Sequence, residues 1–277
     1  MKQTVNIPSL NNQTIRKIAE RIQVCTLNQG KWAGSTNHKR EMREEQRRHG
    51  TMRIKKVEVI LTENVHLKAA LNLHGKIYNT HRKLSLASPI DGMRIVAAGK
   101  VFEHSAALSE LINQSSNEVE KFIEQRPEVV IEARKALNDL FDETLIPKPN
   151  ELREKFYNKF RYFAAPCGHS DWDAWLGETA QAIQVELQDR IVQTARHLIE
   201  VCSGDGKLYG SVLEKLNDVC EMAGDLNLLD DPIIAKAAEE LKPIATDFSV
   251  EVLRDNEILR HEAARKASDI LSVLDLG

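Results

Sequence analysis

The sequence predicts a mainly α protein. It should consist of long antiparallel helical hairpins or a bundle, with one or two small β-hairpin or extended elements. Three observations predict it. Apolar residues recur at three- and four-residue spacings over long stretches, the period of a helix with one buried face. Charged residues make up 29% of the 277-residue chain and aromatic residues only 5%, a balance suited to well-solvated helices rather than a β-sandwich. Prolines and glycines punctuate the periodic stretches at a few places where helices would turn back.

In chain order, Thr4 to Pro8 reads as a short extended piece, and Asn12 to Val24 as a helix. Lys31 to Thr36 reads as a loop. Lys39 to Lys56 holds eight basic and three acidic residues, a local charge of +5, which leaves about −8 on the rest of a chain whose net charge is −3. Gly50 divides this run into a helix ending at Arg48 and an extended piece after Met52. Residues 63–81 are helical, with Val65, Leu67, Ala70, Leu71, Leu73 and Ile77 on the apolar face and His66, His74 and His81 near one stripe.

Leu84 to Val96 breaks that period, and Asp91-Gly92 marks a turn between short extended runs. Gly99 to Gln125 is a long helix whose stripe is Val101, Leu108, Leu111, Ile112, Val119, Phe122 and Ile123. Pro127 opens the next helix, which runs to Asp142. Ile146 to Asn150 is a rigid connector, and Asn150 is placed to cap a helix through ELREKFYNKF. Arg161 to Trp172 reads as a strand or extended segment and then a turn. Four helices follow, over Asp173–Val201, Lys207–Gly224, Asp231–Ser249 and Val250–Leu274. Breaks are expected at Ser203–Gly206, at Gly224–Asp231 and near Pro243. Asp230 and Asp231 before Pro232 read as an N-cap and first-turn complement to the helix dipole. These elements divide into an N-terminal segment, 1–60, a helical hairpin core, 61–172, and a C-terminal bundle, 173–277, which can pack as one domain.

Composition excludes several classes. Cys25, Cys167, Cys202 and Cys220 are far apart and form no CxxC pair, which argues against a disulfide framework and for a reducing cytoplasm. The first 22 residues lack the roughly 7–15-residue apolar core of a signal peptide. No apolar run reaches the roughly 18 residues that span a bilayer, so no membrane association is expected.

Candidate chemistry is sparse. Cys167, His169, Asp171 and Asp173 alternate a thiol, an imidazole and two carboxylates, the closest approach to a metal-ligand set. Their spacing matches neither C-x₂₋₄-C, H-x₃₋₅-H nor HExxH, so a turn with a capping aspartate is the preferred reading. Ser203 to Lys207 lacks the first glycine of a phosphate loop and the hydroxyl after its lysine, and reads as a helix–helix turn. His66, His74 and His81 are two turns apart and cannot converge on one ion from a single helix. No catalytic constellation and no cofactor motif is found, and a non-enzymatic protein is expected. The basic run is the strongest binding candidate. Lys39, Arg40, Arg43, Arg47, Arg48, Arg53, Lys55 and Lys56 could contact nucleic acid or an acidic protein.

From residue 15 to residue 175 the chain resembles an uncharacterised domain-of-unknown-function family of phage, plasmid and proteobacterial proteins. The resemblance is carried by Pro89, Gly92 and Arg94 before a long helix, and by Phe102 near its start. It continues through Phe122 and Pro127, the stretch Leu140, Phe141, Pro147, Leu152, Arg153 and Phe156, and the segment Tyr162, Phe163 and Pro166. Ile90 and Ala97 depart from the family pattern, which usually has Trp and often has Pro there. Members of that family neighbour MoxR-type AAA+ ATPases and von Willebrand A-like proteins. The resemblance therefore implies an adaptor or assembly role around such an ATPase in a bacterial or phage-infected cell, and the helical framework, its solvated charged faces and the missing catalytic signature predict a homo-oligomeric scaffold. Nucleic-acid binding through residues 38–56 is the alternative.

Overall fold

The structure, a computed structural model, describes residues 10–37, 43, 46–48, 58–203 and 209–274. Helices dominate, as the periodicity predicts, and a small four-stranded sheet accompanies them. The chain forms two compact units, each assembled from separated segments. The first comprises Met1–Thr26, Ser85–Phe102 and Tyr162–Gly277, and the second Leu27–Leu84 and Glu103–Arg161.

In the first unit, α1 (Asn12–Arg21) begins at Asn11, whose side chain accepts a hydrogen bond from the Thr14 backbone N–H at 2.9 Å. It does not continue to Val24. Strand β1 (Ile22–Gly30) starts immediately, because Ile22, Val24 and Thr26 put β-branched side chains at a period of two. Residues Ile22 to Thr26 pair antiparallel with β5 (Met93–Ala97), and β5 pairs in turn with β4 (Leu86–Ala87). The expected hairpin at Asp91-Gly92 is present, with Gly92 at φ +78, a conformation that favours glycine.

The long α6 (Ser170–Ser203) is the axis of this unit. Against it pack α1, α7 (Gly210–Leu226), α8 (Pro232–Thr246) and α10 (Glu257–Leu274). The core is a continuous set that includes Ile18, Ile22, Ile183, Leu187, Ile191, Leu216 and Leu241. Asp231 caps α8 as expected, accepting from the N–H groups of Ile233 and Ile234 at 2.7 and 3.3 Å. The break expected near Pro243 is absent. Proline cannot donate to the carbonyl of Glu239, but both residues are exposed in the last turns of the helix, where water can serve that carbonyl. The helix expected over 250–274 is instead two, α9 (Val250–Asp255) and α10, because Asn256 leaves helical geometry and its side chain caps the second at Leu259, 3.1 Å away.

In the second unit, β2 (Ser35–Asn37) and β3 (Glu58–Ile60) form a two-stranded ladder, so the loop expected over 31–36 ends in a strand. Side-chain contacts align α2 (Val65–Lys83) antiparallel to α3 (Val101–Glu124): Asn64 meets Gln125, His66 meets Glu118 and His81 meets His104. Phe122 is fully buried against Trp32, with ring centroids 5.8 Å apart, in a core that includes Leu67, Ala70, Val119, Val129 and Leu152. Leu111, expected to be equally central, is only half-buried.

Helix α4 (Arg126–Leu137) stops five residues short of the expected end, at Asn138, where φ is +46. Arg126 holds the proline-rich connector by donating to the carbonyls of Pro147 and Ile146 at 2.8 and 3.0 Å. Helix α5 (Pro149–Lys155) is capped at Lys148 rather than Asn150, which instead accepts from Arg153. From Tyr157 onward the helix expected through Phe160 is strand, because β6 (Tyr157–Ala164) starts four residues before the expected extended run. The full sheet has the order β4–β5–β1–β6.

Candidate functional site

Few of the expected site residues come together. In the basic run, Arg43 and residues 46–48 have helical backbone, and Arg43, Arg47 and Arg48 are exposed. Lys39, Arg40, Arg53, Lys55 and Lys56 lie outside the described residues, as do Thr4 to Pro8 and 204–207 of the phosphate-loop-like stretch. Ser203 ends α6.

Cys167, His169, Asp171 and Asp173 surround the start of α6. Asp173 accepts from the Gly168 N–H at 2.9 Å, and Asp173 N–H donates to the His169 carbonyl at the same distance. These bonds satisfy backbone groups at the helix entrance. His169 Nδ1 and Asp171 Oδ2 are 3.9 Å apart and both side chains are largely exposed.

The three histidines of α2 take separate partners. His66 Nδ1 meets the Glu118 carboxylate at 2.7 Å. Hydrogen bonds from Lys121 and then His66 hold that carboxyl below its ordinary value. His74 Nε2 lies 3.2 Å from the Gly30 carbonyl, and burial pushes its imidazole down despite that bond. His81 Nδ1 lies 3.1 Å from His104 Nε2, and both rings are buried. Such a pair requires one ring to donate and the other to accept. The His81–His104 contact was not legible in the sequence, because the two residues sit on different helices and only their antiparallel alignment joins them.

Two further polar assemblies anchor helices. In the first unit, Arg94 donates from Nε to Ser85 Oγ and from Nη2 to the Ser85 carbonyl, each at 2.7 Å. Arg190 reaches the same carbonyl at 3.1 Å and Glu186 at 2.6 Å, while Glu186 also accepts from the Ala87 N–H. This ties the β4–β5 hairpin to α6. In the second unit, Arg153 makes a bidentate pair with Glu120 at 2.8 and 2.6 Å. The pair lines a cavity of about 240 Å³ with Ser115, Ser116, Phe156 and Asn158.

Exposed apolar side chains of the first unit include three at the starts of α7, α9 and α10. Gly210, opening α7, lies close enough to Val250 that a Cβ there would stand 3.8 Å from it. Tyr209, next to Gly210, is 57% exposed, Val252, two residues after Val250, 44%, and Ile258, in the first turn of α10, 78%. Exposed aromatic and branched aliphatic side chains at helix starts are of the type that anchors protein contacts.

No family model, no curated protein and no solved structure matches this chain. Among the described residues, no helix is long and apolar enough to cross a membrane.

Proposed function

We propose that this chain is a non-enzymatic, self-associating helical scaffold. The observation that carries the reading is the exposed apolar set Tyr209, Val252 and Ile258, each at or within the first turn of a helix. Its occupant is the same surface of a second copy, because a two-fold contact asks only that one patch complement itself. The helical architecture supports this role, since long solvated helices present rigid faces on which partners can assemble. On the sequence resemblance alone, the reading extends to an adaptor for a MoxR-type AAA+ ATPase in a phage or mobile-element setting. Sedimentation equilibrium across a concentration series tests it. Wild type should be dimeric or larger at micromolar concentration, and Ile258→Asp should shift the protein to monomer with an unchanged circular dichroism spectrum. A wild type that stays monomeric to high micromolar concentration removes the reading.

Nucleic-acid binding through residues 38–56 is the second reading. It is favoured by Arg43 and Arg47, one helical turn apart and both exposed. Affinity for nucleic acid should fall steeply with salt and be lost in Arg43→Glu/Arg47→Glu.

A further inference from the structure

Strand β6 carries an alternation that the basic run does not include. Tyr157, Lys159 and Arg161 are two residues apart and therefore share one face of the sheet. The opposite face is committed to packing. There Asn158 accepts from Gln29 of the neighbouring β1 at 2.6 Å, and the same Gln29 amide donates to the His74 carbonyl of α2. The Tyr157 face looks the other way. On it lie Gly30, against which the Tyr157 ring packs, and exposed Asn28, whose Oδ1 is 3.5 Å from the Tyr157 hydroxyl.

Charge distinguishes this face. Arg153, just before the strand, is consumed by Glu120. Lys159 and Arg161 are exposed and have no carboxylate partner among the described residues. Lys159 instead holds its Nζ 5.6 Å from the centroid of the Tyr157 ring. A flexible lysine stem at that distance can swing to a phosphate while a base takes its place against the ring. The strip from Tyr157 to Arg161 is about 13 Å long at the rise of a strand.

We infer that the outer face of β6 is a contact site for single-stranded nucleic acid, with Tyr157 as a stacking platform and Lys159 and Arg161 as phosphate contacts. The occupant follows from the combination. An aromatic ring interleaved with unpaired cations on a sheet surface serves unstacked bases and a backbone together. A duplex would offer phosphates but no free base face for the ring. The inference is independent of the scaffold reading and uses residues different from those of the basic run.

The test is fluorescence anisotropy of a labelled twenty-nucleotide oligothymidylate with the full chain, from 50 to 300 mM salt. Wild type should bind, and Lys159→Glu/Arg161→Glu should weaken binding by about tenfold or more at low salt. The neutral pair Lys159→Gln/Arg161→Gln should reduce the slope of log affinity against log salt by about 1.4, two contacts at roughly 0.7 each. Tyr157→Leu, which keeps an apolar cover over Gly30, should lose about fivefold or more, while Tyr157→Phe binds as wild type. Thermal melts of each variant report folding separately. The inference is overturned by a wild type that does not bind at 50 mM salt. It is equally overturned if both strip pairs stay within about twofold of wild type while Arg43→Glu/Arg47→Glu abolishes binding, an outcome that leaves the basic-run reading standing. Displacement of the oligonucleotide by polyglutamate at equal charge concentration also overturns it, in favour of an acidic protein segment.

Discussion

The ring of Tyr157 stands where a side chain at Gly30 would have to go. A Cβ at position 30 would collide with two ring carbons and approach the Lys155 carbonyl to 2.8 Å. The tyrosine covers a glycine on the adjacent strand, replacing the cross-strand packing that glycine cannot supply. Gly30→Ala is therefore expected to destabilise the protein by roughly 1–3 kcal/mol, the usual range for overpacking. Chemical denaturation measures it, and an unchanged midpoint would refute the contact.

Phe122 and Leu111 separate the true core of α3 from its margin. Phe122→Ala empties a fully buried site against Trp32 and should cost about 3–5 kcal/mol. Leu111→Ala removes a half-buried side chain and should cost clearly less. Urea titrations giving equal losses would contradict the packing described for the second unit.

Acid should loosen α3 from its neighbours. Glu118 is held below the ordinary carboxyl range by Lys121 and then His66, and Glu120 by Arg153. Groups with depressed values contribute stability that is complete above the ordinary carboxylate range and is lost as pH falls through their own values. Wild type should lose more stability on this acid limb than Glu118→Gln/Glu120→Gln. Melting curves from pH 7 to pH 3 that run parallel for the two proteins would contradict the assignment.

The four cysteines should divide by burial. Burial pushes the Cys25 thiol up to about 12 against the opposing charge of Arg94, and Cys220 up to about 11. Cys202 is raised by the same cause, whereas Cys167 is exposed. Only the thiolate attacks a disulfide reagent. At pH 8 one thiol should react rapidly with Ellman's reagent, Cys167→Ser should abolish that phase, and the other three should react only on unfolding.

Asp231→Ala should cost about 0.5–2 kcal/mol through loss of the α8 cap. The same carboxylate also accepts from Gln184 on α6, so Asp231→Asn, which can still cap, should recover only part of the loss. Identical thermal midpoints for the alanine variant and wild type would show that the cap carries no stability.

What the sequence revealed was local. Asp91-Gly92 and Asp231-Pro232 state their turn and cap within a few residues, and both stand where expected. Strand β1 did not, because its partner Met93–Ala97 is some seventy residues away and the apolar period of α1 runs into it without a stop signal. The start of β6 was obscured by the mixed charges of ELREKF, which suit a helix. At Pro243 the missing N–H is tolerated in an exposed last turn, an environment that sequence alone does not specify. The outer strip of β6 was within reach, since Tyr157, Lys159, Arg161 and Phe163 alternate perfectly in the sequence. Only the helical reading of its first residues concealed it.

The interleaving of the two units sets an order on synthesis. Helix α1 packs on α6, yet the ribosome must add about 135 residues after Thr26 before the last segment of the first unit begins at Tyr162. At roughly 5–20 residues per second that delay is on the order of ten seconds. Both segments of the second unit are complete within it. A nascent chain released at residue 161 would hold every residue of one unit but only Met1–Thr26 and Ser85–Phe102 of the other, with the face of α1 that packs on α6 bare to any chaperone that reads it.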